Sequence, residues 1–149
     1  VWAMVRLKAH QRRVRKSVPL NDPGLEFCYA KLQKVSRSFA VVIMALDHQV
    51  RDAVCIFYLV LRALDTVEDD MAIPLDVKVP ELLSFHEKLS VCGWNIRGIG
   101  QGHERDLLER FDVVIQAYLG LPGHLQEPIA DICRRMGEGM AASVQRAAE

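Results

Sequence analysis

Apolar side chains recur along this chain at intervals of three and four, the period of a helix with one buried face. In "LEFCYAKLQKV" the stripe is Leu25, Cys28, Leu32 and Val35, which predicts a short helix. "SRSF" interrupts it, and "FAVVIMAL" follows as a short, almost wholly buried segment. Its β-branched residues are compatible with strand, but its helical neighbours favour helix. From about residue 49 to 69 apolar positions recur without Pro or Gly, predicting a long helix, and Pro74 closes the region. "VPELLSFHEKL" predicts another helix beginning near Pro80, since Pro suits the first helical turn. "VCGWNIRGIGQG" reads as a loop. Residues 103–119 and about 127–147 predict two further helices, joined by "GLPGHLQEP". No segment alternates convincingly as a strand, so the expected fold is all-α, with helices packed through their apolar faces.

At 149 residues, half of them hydrophobic, the chain can bury one core of its own. The expected organisation is a basic tail and linker over residues 1–24, ending in the turn-like "SVPLNDPG", and a helical domain over residues 25–149. Nineteen basic and nineteen acidic side chains cancel, which argues against nucleic acid as a partner. The tail alone is one-sided: Arg6, Lys8, Arg12, Arg13, Arg15 and Lys16 precede any acid, and such a run is more often a solvated face than a phosphate or lipid contact. Cys28, Cys55, Cys92 and Cys133 form no CxxC pair, so neither a zinc knuckle nor a thioredoxin-type site is suggested, and a reducing compartment is the simpler expectation. The apolar runs fall short of the roughly 20 residues that cross a bilayer. The first residue is Val and the last helix lacks a stop signal, so the chain is expected to be cut or incomplete at its ends.

The long helix carries the chemistry. Each residue turns a side chain by about 100°, so with Tyr58 at zero Arg62 falls near 40°, Asp65 near −20° and Asp69 near 20°. Glu68 lies at the edge of that stripe, and the same count puts Asp70 away from it. Most of the remaining circumference is apolar, so the stripe has to face a cavity, because burying unpaired charge costs many kcal/mol. The acids also gather at the negative end of the helix dipole, so something positive should offset them. Two carboxylates four positions apart suit Mg²⁺, which takes one or two carboxylates together with waters and phosphates. In "SRSF", Ser36 or Ser38 can cap the next helix, and Arg37 adds a cation at its anion-attracting end. The plainer readings are a salt bridge between Arg62 and Asp65 and an ordinary N-cap. In the glycine loop the GxGxxG spacing fails, and "HEKL" and "HERDL" lack the second histidine of a zinc hydrolase.

"KVSRSFAVVI", "RDAVCIFYLVLRALDTVEDDM", "VKVPELLSFH" and "DICRRMGEGM", in this order and spacing, resemble the squalene synthases, the farnesyl-diphosphate farnesyltransferases of the squalene/phytoene synthase family. The phytoene synthases are the nearest alternative. The resemblance implies a helical isoprenoid-synthase-type fold and head-to-head condensation of two farnesyl diphosphates through presqualene diphosphate, with reduction by NADPH to squalene in sterol biosynthesis. It implies that Asp65, Glu68 and Asp69 hold Mg²⁺ and that Ser36, Arg37 and Ser38 contact phosphate. Arg37 and Arg62 would meet diphosphate or the NADPH phosphates, Phe39 and Tyr58 would line the cavity, and Tyr58 and Arg62 would serve catalysis. It also implies the cytosolic face of the endoplasmic reticulum membrane, with a carboxyl-terminal anchor. The family's second aspartate-rich motif has no counterpart in these residues, so the chain reads as the amino-terminal half of a catalytic domain, inactive alone and inclined to expose apolar faces. A different class of function, a non-catalytic helical module whose acidic stripe docks a basic helix, is the remaining alternative.

Overall fold

The computed structural model describes residues 22–149, and the basic run at residues 6–16 lies outside them. Seven helices follow in order: α1 (Pro23–Val35), α2 (Arg37–Met44), α3 (His48–Asp69), α4 (Leu75–Lys88), α5 (Gly102–Glu109), α6 (Phe111–Leu119) and α7 (Gly123–Ala147). There is no strand among the described residues, and the all-α expectation holds. None of these helices is long and apolar enough to cross a membrane.

The start of α1 falls inside the expected linker. Asp22 caps it, its Oδ1 accepting from the Leu25 N–H at 3.1 Å, and Pro23 fills the first turn. Ser36 then separates two helices by itself. Its extended backbone (φ −159°, ψ 95°) ends α1, and its Oγ accepts from the Phe39 N–H at 3.4 Å to begin α2. The expectation that "FAVVIMAL" is almost wholly buried is corrected: only Ala40, Ile43 and Met44 of α2 face the core, and Phe39, Val41 and Val42 are exposed. An eight-residue helix lying on the surface has one inner face whatever its composition.

The centre of the molecule is α3. It packs against each of the other six helices and buries Cys55, Ile56, Leu59, Val60, Ala63, Leu64 and Val67. Near its start Arg51 is buried as well, its Nε donating to the Tyr29 hydroxyl at 3.0 Å while that hydroxyl donates to Asp52. Cys28, Cys55 and Cys133 are buried free thiols that pack as small hydrophobes, and burial pushes Cys28 and Cys133 up to about 12, which keeps them unreactive.

Two helix starts fall earlier than the sequence suggests. Pro80 and Pro128 are each the sixth helical residue rather than the first, behind starts capped by Pro74 and Pro122. Each gives up only one backbone bond near the amino end, where tertiary packing of the helix outweighs the loss. The predicted helix over 103–119 is two helices, broken at Arg110 (φ −118°, ψ 26°). The break turns the Phe111 ring into a cluster with Phe85 and Trp94, at centroid distances of 5.4 and 5.8 Å, and leaves the Arg110 guanidinium 4.3 Å above the Phe27 ring. Trp94 thereby pins the glycine-rich loop between α4 and α6, and the Ile96 N–H donates to the Leu108 carbonyl at 3.1 Å.

The closest helix pairing is that of α7 on α4. A Cβ built on Gly137 would stand 2.2 Å from the Leu82 carbonyl oxygen, whereas one on Gly139 would meet nothing within 4 Å. Gly137→Ala is expected to destabilise the chain by about 2 kcal/mol or more through forced separation of α4 and α7. Gly139→Ala, at an exposed position of the same helix, is expected to stabilise it by about 0.5–1 kcal/mol. Urea denaturation of the two variants beside the parent chain reads the contrast, and equal effects would contradict the close pairing.

Candidate active site

The polar stripe of α3 opens at its carboxyl end. There a cavity of about 450 Å³ is lined by Arg62, Asp65, Thr66, Asp69, Asp70 and Met71, facing Gly100, Gln101 and Glu104 from the loop and the first turn of α5. Of the residues expected to hold Mg²⁺, Asp65 and Asp69 line this cavity and Glu68 does not. Among the described residues no group of three or more His, Cys, Asp or Glu is arranged to hold a metal ion by itself. Two carboxylates on one side of a cavity suit an ion whose other ligands are water and phosphate oxygens.

Asp70 is a correction to the helical count. The helix ends at Asp69, and Asp70 is extended (φ −74°, ψ 105°), so its side chain swings back into the cavity wall. Its Oδ2 accepts from the Gly100 N–H and its Oδ1 from the Ala72 N–H, both at 2.9 Å. These two backbone donors, the Gly100 bond first, hold its carboxyl below the usual range. The Asp70 bond draws the glycine loop onto the end of α3. Gly100 has φ +80°, and a Cβ there would come within 2.5 Å of the Thr66 methyl, so both backbone and space call for glycine. The loop therefore serves the site as a wall, although it has no phosphate-loop spacing.

The positive charge arrives from two directions. Lys78 of α4, only 4% exposed, donates from Nζ to the Glu68 carbonyl oxygen at 2.7 Å, capping the negative end of α3. Arg62 bonds from Nη2 to the Glu104 carboxylate at 3.0 Å and to the Val35 carbonyl at 3.2 Å. The expected pairing of Arg62 with Asp65 gives way to Glu104, and Arg62 acts on Asp65 only at longer range.

Asp65 is consequently undersupplied with positive charge. Desolvation first, then the like charge of Asp69, raises its pKa, and Arg62 offsets only part of this. Glu68 is raised too, by desolvation and then by Asp69 and Asp65, against Lys78. A site whose carboxylates are held partly out of water with too little compensating charge has the donor chemistry that a divalent cation completes.

The phosphate-contacting segment expected from the sequence lies beside this site through Arg62. The Val35 carbonyl that anchors the guanidinium immediately precedes Ser36, and Arg37 and Ser38 are exposed at the start of α2. Phe39 and Tyr58 stack with centroids 5.1 Å apart, one turn along α3 from Arg62, and neither lines the cavity. A separate apolar cleft of about 210 Å³ lies between Val54 and Phe57 of α3 and Leu125 and Ile129 of α7. Sequence reasoning missed Asp70, Gly100, Glu104 and Lys78. "HERDL" directly after the glycine loop was a usable signal for Glu104, and none marked Lys78.

The folded pKa of Asp65 is above its ordinary 3.8, so the folded chain holds this proton more tightly than the unfolded one. Its contribution to stability is greatest below that value and declines as pH rises from there through the raised folded pKa. Asp65→Asn is therefore expected to raise Tm slightly at pH 7 without divalent cations and to remove this part of the pH dependence. Thermal melts of both chains from pH 3 to 8 in a chelator check it, and a lower Tm for the variant at pH 7 would contradict it.

Three comparisons bear on this arrangement. The squalene/phytoene synthase family matches residues 32–148. The chain is 48% identical over its full length to a squalene synthase of Nicotiana benthamiana, of which it covers 36%. It is 52% identical over 85% of its length to a lycopaoctaene synthase of Botryococcus braunii, covering 28% of that protein. A solved structure of TcSQS in complex with a ligand superposes with a TM-score of 0.81 at 59% identity, over 82% of this chain and 36% of that one. The chain thus spans about a third of the length of the curated relatives it matches.

Proposed function

This chain belongs to the squalene/phytoene synthase family, and we propose that it carries the first acidic half of a squalene synthase active site, binding farnesyl diphosphate through Mg²⁺. The helical isoprenoid-synthase-type fold is the shared ground. The observation that carries the reading is the cavity at the end of α3, where Asp65 and Asp69 lie beside the Arg62 cation with Asp65 undersupplied with positive charge.

In this reading Asp65 and Asp69 hold the ion directly, and Glu68, outside the cavity, supports them through charge or water. Mg²⁺ held by these residues would supply positive charge to offset that of the leaving diphosphate. Arg62 adds a fixed positive charge one turn before Asp65 on the same wall of the cavity. Ser36, Arg37 and Ser38 extend the anion site at the start of α2, where exposed Arg37 suits a phosphate of either a second diphosphate or NADPH. Phe39 and Tyr58, paired one turn along α3 from Arg62 and outside the cavity, are left for the prenyl chain rather than the diphosphate. NADPH as hydride donor in the reduction to squalene, a place in sterol biosynthesis, and the cytosolic face of the endoplasmic reticulum with a carboxyl-terminal anchor are carried from the family. We assign turnover to the longer family architecture and recognition of the diphosphate to this chain.

Relatives at 48 and 52% identity bear different product names, so identity alone does not select the substrate. Calorimetric titration of farnesyl diphosphate, and of a longer prenyl diphosphate for the phytoene-type alternative, tests the reading with and without Mg²⁺. The expected result is Mg²⁺-dependent binding of farnesyl diphosphate that weakens by more than about tenfold in Asp65→Asn, Asp69→Asn. Binding that ignores Mg²⁺ and survives the double substitution would remove the proposed role of the stripe.

A further inference from the structure

We propose that Glu104, which nothing in the sequence motif includes, is the positioning residue that aims Arg62 at the diphosphate. This rests on the preceding reading of the cavity.

A guanidinium has five N–H donors in a planar fork. Arg62 spends those of a single nitrogen on protein: Nη2 donates to the Glu104 Oε1 at 3.0 Å and to the Val35 carbonyl at 3.2 Å. The three donors on Nη1 and Nε have no hydrogen-bond partner among the described residues. The two anchors come from different elements, the last residue of α1 and the first turn of α5, so the fork is gripped on one side between two independent supports. Arg62 and Glu104 are each about one-third exposed, at 34% and 31% of their side chains, and both line the cavity.

An exposed ion pair of this kind contributes little to stability. Its effect here is orientational. A long arginine side chain samples several rotamers, and fixing one before the ligand arrives removes an ordering cost from binding. Glu104 is itself held by the surrounding construction. The loop leading into α5 is clamped to the end of α3 by the Asp70 carboxylate on the Gly100 N–H, by the close approach of Gly100 to Thr66 and by buried Ile99. Glu104 therefore transmits the rigidity of that wall to a cation on the opposite one.

Inorganic diphosphate, titrated in Mg²⁺ into the parent chain and into Glu104→Ala, Glu104→Gln, Arg62→Gln and the Arg62→Gln, Glu104→Ala double variant, tests the assignment. Glu104→Ala is expected to weaken binding about fivefold. Glu104→Gln keeps an acceptor for Nη2 and is expected to lose less. In the Arg62→Gln background, removal of Glu104 is expected to have no further effect, because its action passes through that guanidinium. Circular dichroism confirms that each variant remains folded. Unchanged or tighter binding by folded Glu104→Ala overturns the proposal, as does an equal loss with and without Arg62. Failure of the parent chain to bind diphosphate overturns the diphosphate reading of the cavity together with this one, whereas a parent chain that binds beside an unaffected Glu104→Ala overturns this one alone.

Discussion

The burial of α3 governs the rest of the structure. A helix in contact with all six of its neighbours keeps only a partly exposed strip, through Val54, Tyr58, Arg62, Asp65 and Asp69, and the charged members of that strip gather where the neighbours stop. That point is the carboxyl end, where the helix dipole is itself negative. The fold therefore concentrates negative charge at the place least able to tolerate it and leaves a cavity in front of it.

Compensation of that charge is incomplete in a particular way. Lys78 is committed to the Glu68 carbonyl and caps the helix, and the Gly100 and Ala72 N–H groups satisfy Asp70. Arg62 divides its Nη2 between Glu104 and Val35. Each of these groups stabilises a neighbour of Asp65, and Asp65 retains its raised pKa. The arrangement is a scaffold of paired polar groups around two neighbouring carboxylates, Asp65 and Asp69, that face the cavity.

The glycine-rich segment shows how a loop without a binding motif becomes part of a site. Trp94 joins Phe85 and Phe111, Ile99 is buried, and Gly100 is drawn against Thr66, so the loop is fixed at three points. Its rigidity carries Glu104 to a position opposite Arg62, forty-two residues distant in sequence.

Helical period alone establishes the all-α class, the long α3, the separation at Ser36 and the single face shared by Arg62, Asp65 and Asp69, because each depends on residues within one or two turns of each other. The motif order also makes the family legible from the residues themselves. Where α4 and α7 begin was not legible, since Pro80 and Pro128 suit a helix start and only packing of the preceding turn overrides that preference. Asp70 was misplaced because a helical count continues past the residue at which the helix stops. Glu104, Lys78 and Gly100 belong to the site through contacts with distant segments, and no local period encodes those. The sequence by itself determined which residues share a face of each helix, while the tertiary structure alone decided which faces meet, because that choice depends on burying all the apolar surfaces at once.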